Sequence, residues 1–114
     1  MISEEYLAYE FANVVDRINP KLGKLLQSCY VKVVDFSVKR LHKRFYYITI
    51  YCPDKLIPEL QSEKGLLKDI AENMGLVDVT CLNATKLLRD PLSQLKQDNP
   101  HLWMELYWVA THFK

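Results

Sequence analysis

Two short amphipathic helices are predicted at the start of the chain, because apolar residues recur there every three or four positions. Ser3 is a good helix cap, and the stripe that follows it contains Leu7, Phe11, Val14, Val15 and Ile18. Asn19-Pro20 predicts the end of this helix and the beginning of the next, since asparagine caps a helix and proline suits its first turn. The second apolar stripe is Leu22, Leu25, Leu26 and Cys29. The pattern therefore indicates a helical hairpin.

From Tyr30 the apolar period changes to that of a β-strand. The alternating apolar positions are Val34, Phe36 and Val38, and, after a basic turn, Tyr46, Ile48, Ile50 and Cys52. These residues are β-branched, aromatic or small and apolar, which favours a pleated, half-buried surface. We therefore predict a β-hairpin with strands over residues 31–38 and 45–52, followed by a partly helical segment over residues 55–61.

A third helix and a third strand follow. Ser62 is the predicted cap of this helix, and its apolar side consists of Leu66, Leu67, Ile70, Ala71 and Met74. Gly75 stands where a left-handed helix terminus would require glycine. The strand is predicted over residues 76–82, with Val77, Val79 and Cys81 alternating.

The end of the chain is predicted to be helical. Asp90-Pro91 and Asn99-Pro100 are two further helix-start signals. The last helix, over residues 100–113, carries a narrow apolar stripe of Leu102, Leu106, Val109 and Phe113. Met104 and Trp108 project away from this stripe, and Trp103 and Tyr107 lie on its flank. Two interpretations stay open: the aromatic side is a contact surface, or the helix lies in a groove that buries both of its sides.

Composition indicates one globular unit. The 114 residues are 49% hydrophobic and 25% charged, enough to bury a core without disulfides or metal. We expect a core domain over residues 1–86 and a C-terminal helical extension over residues 87–114, packed on the core or projecting from it. The net charge of +1 argues against a general polyanion binder, so any contact with nucleic acid must be local.

The candidate chemistry argues against catalysis. Cys29, Cys52 and Cys81 are widely spaced and form no CxxC pair, so we expect buried, reduced thiols. His101 and Glu105 have a helical spacing that can hold a metal, but a solvated polar stripe is the expected role. The chain has no P-loop, dinucleotide fingerprint or nucleophile-elbow motif. We therefore expect a protein that is not an enzyme and that uses no cofactor and no metal.

The N-terminal sequence also lacks the pattern of a secretion signal, and no run of residues has the length and apolar character of a membrane span. A cytoplasmic location is expected.

A basic turn separates the two strands of the hairpin. Lys39, Arg40, Lys43 and Arg44 are four of the fifteen basic residues, and His42 lies among them. Such a tip can contact a phosphate backbone, as the wing of a winged helix does, or an acidic protein surface. It can also simply keep the turn soluble and the sheet edge unpaired.

Residues 19–26 read Asn-Pro-Lys-Leu-Gly-Lys-Leu-Leu and lead into a strand. This element, together with the order helix-helix-strand-strand-helix-strand, resembles the K-homology-like domains of bacterial replication proteins. The resemblance covers residues 6–85 and is closest to the C-terminal domain of the clamp-loader tau subunit, then to the N-terminal domain of the initiator DnaA. Phe11 stands where the tau-type domain would have a tryptophan. The resemblance implies a docking module of the replication machinery, and the absence of a GxxG loop argues against RNA clamping by that loop.

The sequence thus predicts an α+β, K-homology-like fold with an added C-terminal helix. The leading hypothesis is a non-catalytic protein–protein interaction adaptor linked to DNA replication, whose apolar anchors are Trp103, Met104, Tyr107 and Trp108. The basic tip would then face an acidic partner. The alternative is a nucleic-acid-binding protein that uses residues 39–44 of the hairpin. An exposed Trp108 side would also suit self-association.

Overall fold

The computed structural model describes residues 3–90 and 94–112. In this part of the chain seven helices surround a sheet of three strands, which confirms the α+β class. The elements in chain order are α1 Glu4–Ile18, α2 Pro20–Leu26, β1 Tyr30–Val38, β2 Lys43–Cys52, α3 Ile57–Ser62, α4 Lys64–Asn73, β3 Val79–Asn83, α5 Ala84–Arg89, α6 Leu95–Asp98 and α7 Pro100–His112. Short 3-10 turns occupy residues 39–41 and 54–56.

The central strand of the sheet is β2. It pairs antiparallel with β1, from Tyr30 opposite Tyr51 to Val38 opposite Lys43. On its other side it pairs parallel with β3, from Ile48 opposite Val79 onward. Parallel strands need a crossover connection, and here α3 and α4 provide it.

The last five residues of β2 are all buried because helices cover both faces of the sheet there. On one face Ile48 and Ile50 pack with Phe11 and other residues of α1, α2 and α4. On the opposite face Tyr51 packs with Ala84, Leu102, Leu106 and Val109 of α5 and α7. The C-terminal helix is therefore docked on the sheet through the predicted stripe, of which Phe113 lies outside the described residues.

The apolar residues predicted to alternate in β1 lie on the face that α7 shares. Val34 and Phe36 are opposite Tyr47 and Phe45, so their side chains point away from Ile48 and Ile50. The buried residue of β1 is Val33, at 1% exposure, whereas Phe36 is 42% exposed. The prediction found the period of this strand and missed its core residue.

Local chemistry explains most helix boundaries and two errors. The side-chain oxygens of Ser3, Asn19 and Asn99 accept hydrogen bonds from backbone N–H groups three residues later, as expected of helix caps. Ser62 was predicted to cap a helix and does not: it ends α3, and its hydroxyl donates to the carbonyl of Glu59 at 2.6 Å. The missed helix is α5, capped by Asn83, whose oxygen accepts from the N–H of Lys86 at 3.1 Å. The predicted start signal Asp90-Pro91 lies partly outside the described residues.

Candidate functional site

The basic tip is fully displayed at the far end of the β1–β2 hairpin. Residues 39–44 are all exposed. His42 closes the 3-10 turn in the left-handed conformation, with φ 49°, and donates its N–H to the carbonyl of Lys39 at 3.3 Å. Arg44 forms an ion pair with Asp35 of β1, in which Nε of Arg44 lies 3.5 Å from Oδ2 of Asp35. The remaining cations, Lys39, Arg40 and Lys43, together with His42, define the tip.

Next to this tip lies an aromatic cluster that the sequence analysis did not single out. The ring of Phe36 stacks on Phe45, with centroids 5.4 Å apart, and meets Tyr47 at 5.8 Å. The signal was present, because aromatic residues at alternate positions of paired strands share a face. Predicting the cluster required the register of the hairpin.

The four predicted anchors on the C-terminal helix differ in their solvent exposure. Met104, Tyr107 and Trp108 are 59%, 49% and 45% exposed, and they form what we call the outer face of α7. Trp103 is half-buried; its ring stacks on Tyr107 at 5.4 Å, and Nζ of Lys96 lies 4.9 Å from its centroid. The interpretation that α7 buries both of its sides is therefore wrong for these residues.

The outer face of α7 and the basic tip belong to different ends of the hairpin. Helix α7 packs where Tyr30 and Tyr51 pair, and the tip follows the last pair of the register, Val38 with Lys43. The structure thus presents two separate surfaces rather than one combined site.

On the side of α7 that faces β1, His101 and Glu105 form the pair that the spacing suggested. Nε2 of His101 lies 3.9 Å from Oε1 of Glu105. Glu105 also borders a groove of about 590 Å³ between α1, the outer edge of β1 and α7. Apart from His101 and Glu105, which the sequence analysis weighed as a metal pair, no residue of this groove was considered as part of a binding site.

The three cysteines, distant in sequence, meet in the folded chain. The hydrogen-bonded thiols of Cys29 and Cys81, together with burial, raise the pKa of Cys52 far above its usual range. The hydrogen bond from Cys52 lowers the pKa of Cys81, although burial opposes this change. Among the described residues no group of three or more His, Cys, Asp or Glu side chains is arranged to hold a metal ion.

None of the helices within residues 3–90 and 94–112 combines the length and the apolar character needed to cross a lipid bilayer. Comparison of the chain with models of protein families, with curated proteins and with solved structures yields no match.

Proposed function

We propose that this chain is a non-catalytic protein-interaction module that binds its partner through the outer face of α7. One observation carries the proposal. Leu102, Leu106 and Val109 already hold the helix on the sheet, yet its opposite side displays Met104, Tyr107 and Trp108 to solvent. Large apolar side chains that are grouped and exposed are typical of contact surfaces.

The chemistry of this face suits an interface. Tryptophan and tyrosine are the commonest binding hot spots, because they supply a large contact area with few rotatable bonds. The stacking of Tyr107 on Trp103, and the Lys96 ammonium near the Trp103 ring, support a fixed orientation before any partner binds. Such preorganisation reduces the entropy lost on binding.

The class of partner follows from the resemblance to K-homology-like replication domains. We expect a protein of the DNA replication machinery, met in the cytoplasm. An acidic region of that partner would face Lys39, Arg40 and Lys43, since these cations are exposed.

Affinity capture with a matched pair of variants tests the proposal. A Tyr107→Ala/Trp108→Ala double variant removes the outer face, and Ile18→Ala/Val77→Ala removes exposed apolar groups elsewhere, at 56% and 40% exposure. The captured partner is identified by mass spectrometry and its dissociation constant is measured by calorimetry. We expect the first variant to bind at least about tenfold more weakly than the wild type and the control to bind normally. Equal binding by both variants would rule out the outer face as the site.

The hairpin supports a second candidate, binding of single-stranded nucleic acid. Its tip exposes cations beside the rings of Phe36, Phe45 and Tyr47. Proteins that bind single strands combine these two features, because bases stack on aromatic rings while cations follow the phosphates.

The two candidates differ in their dependence on salt. Binding of labelled single- and double-stranded DNA and RNA is measured at about 50 and 200 mM salt, where phosphate contacts lower the affinity with a log–log slope of about −0.7 to −0.9 per contact. The first variant has the cations of the tip, Lys39, Arg40 and Lys43, and the neighbouring Arg44 changed to serine. The control variant loses the same charge elsewhere, with Lys21, Lys24, Lys55 and Lys68 changed to serine. Salt-sensitive binding lost only in the first variant would establish the nucleic-acid function. Absence of binding at both salt concentrations would remove that candidate.

A further inference from the structure

The outer edge of β1 offers unpaired backbone groups. The N–H of Ile48 donates to Asp78 and the carbonyl of Tyr46 accepts from Val77, so these residues of β2 face β3. Backbone groups alternate in direction along a strand, and Tyr47, Thr49 and Tyr51 therefore face β1. Their partners in the register are Val34, Lys32 and Tyr30.

Val31 and Val33 consequently direct their N–H and C=O groups away from the sheet. Within residues 3–90 and 94–112 no hydrogen bond reaches these groups. Asp35 and Ser37 continue the same edge toward the tip. An edge of this kind is a template for another strand.

The groove between α1 and α7 encloses this edge of β1 on two sides. Residues 30–33 form its floor, about 13 Å long at the rise of a strand. Glu5, Ala8 and Tyr9 of α1 form one wall, and His101 and Glu105 of α7 form the other. The volume of about 590 Å³ lies in the range of pockets that bind ligands. One extended segment laid beside β1 would have a helix on each side.

The charge of the groove indicates what kind of segment would bind in it. Three carboxylates, those of Glu4, Glu5 and Glu105, line it against Lys32 and the histidine of the His101–Glu105 pair. Burial raises the pKa of Tyr30 on the groove floor, and the negative charges of Glu105 and then Glu5 raise it further. Carboxylates on both walls of the groove therefore act on its floor. A chain of net charge +1 thus places an acidic groove on its surface, which disfavours phosphates and favours cations.

We propose that an extended segment of a partner protein, with lysine or arginine at two successive positions, binds along the outer edge of β1 between α1 and α7. Backbone hydrogen bonds to Val31 and Val33 provide affinity that does not depend on sequence. Side chains of an added strand alternate between the two faces of the sheet, so one cation meets Glu5 and the next meets Glu105. The inference rests on the proposed interaction function and concerns a surface separate from the outer face of α7.

Synthetic peptides test the proposal directly. The probe is a fluorescein-labelled decapeptide of alternating valine and threonine with a central Lys-Arg pair, compared with the same peptide carrying Gln-Gln. A third peptide has the Lys-Arg pair and an N-methyl group on every amide of its central segment, which blocks strand pairing on both of its edges. We expect the unmodified Lys-Arg peptide to bind and both comparison peptides to bind at least about tenfold more weakly.

Protein variants locate the bound peptide. Glu5→Gln and Glu105→Gln keep the shape of the side chain, and each should weaken binding about threefold, as expected for a partly exposed ion pair. Glu59→Gln and Glu72→Gln are the matched controls, since both are exposed and lie outside the groove. In hydrogen exchange followed by NMR, the N–H groups of Val31 and Val33 should be protected only when the peptide is bound.

Four results would overturn the proposal, and three of them come from the peptides: equal binding of the Lys-Arg and Gln-Gln peptides, full binding of the N-methylated peptide, or unchanged exchange at Val31 and Val33. Concentration-dependent dimerisation in sedimentation that Glu5→Gln and Glu105→Gln abolish would also overturn it, because a second copy would then occupy the groove. The Tyr107→Ala/Trp108→Ala variant should bind the peptide normally. The experiments therefore distinguish a failure of the groove proposal from a failure of the proposed binding by the outer face of α7.

Discussion

Gly23 allows α2 to pack tightly against α1. A Cβ atom built at this position would lie 2.5 Å from Cα of Asp16, which is backbone and cannot turn aside. Gly65, near the start of α4, has no atom within 4 Å of the corresponding position. The two glycines therefore have opposite roles, although both lie within helices.

We expect Gly23→Ala to lower the free energy of unfolding by about 1–3 kcal/mol, because the clash outweighs the gain in helix propensity. Gly65→Ala should raise it by up to about 1 kcal/mol, since alanine favours the helix and restricts the unfolded chain. Urea unfolding of both variants checks the pair. A stabilising Gly23→Ala would mean that the two helices are farther apart than in this structure.

At the scale of single residues, the sequence predicted features that depend on near neighbours. Asn19 and Gly75 were placed correctly, because a cap or a left-handed terminus is set within one turn of helix. The meeting of Cys29, Cys52 and Cys81 depends on the pairing of all three strands, since Cys29 directly precedes β1 while Cys52 and Cys81 lie in β2 and β3. Their spacing along the chain carries no sign of it.

Among the elements, α7 is the one whose attachment the sequence left open. Leu106 is fully buried against the sheet, whereas Met104, two residues earlier, is 59% exposed. A period of 3.6 residues predicted which side was apolar enough to pack. It could not predict what the other side would contact.

We expect Leu106→Ala to lower the free energy of unfolding by about 2–5 kcal/mol, the usual cost of a cavity in a packed core. Met104→Ala should change it by no more than about 0.5 kcal/mol, as is usual for surface positions. Urea unfolding followed by circular dichroism measures both. Equal effects of the two substitutions would show that α7 can leave the sheet without unfolding it.

Contacts between elements that are distant in the chain could not be predicted from the sequence. The hairpin was expected, but its core residue Val33 was not, because β1 has apolar residues on both faces. The groove beside Val31 needs α1 and α7 on opposite faces of one edge strand, and these helices are at opposite ends of the chain. The K-homology-like resemblance and the adaptor role remain predictions.

For the whole molecule, the buried Tyr51 makes the free energy of unfolding depend on pH in the alkaline range. Burial, then Tyr47 and Tyr30, raise the pKa of Tyr51 above its usual 10.0. The folded state therefore keeps this proton at a pH where the unfolded chain loses it. The contribution is constant below pH 10 and is lost as the pH rises beyond it, by at most about 1.4 kcal/mol per pH unit.

The free energy of unfolding should thus fall less steeply in Tyr51→Phe than in the wild type between about pH 9 and pH 11. Tyr9→Phe is the control, because Tyr9 is 64% exposed. Urea unfolding at intervals across this range gives the slopes. Parallel curves for the wild type and Tyr51→Phe would contradict the expectation.

The crossover between β2 and β3 sets the order in which the strands can pair. A short turn joins β1 to β2, whereas β3 reaches β2 only after α3 and α4. Closing the longer loop costs more chain entropy, and distant pairings form more slowly. The hairpin is therefore expected to assemble first. Until β3 pairs with it, β2 is a second open edge of the sheet, and this strand carries the apolar Ile48 and Ile50. We therefore expect the newly made chain to be most prone to aggregation at that stage.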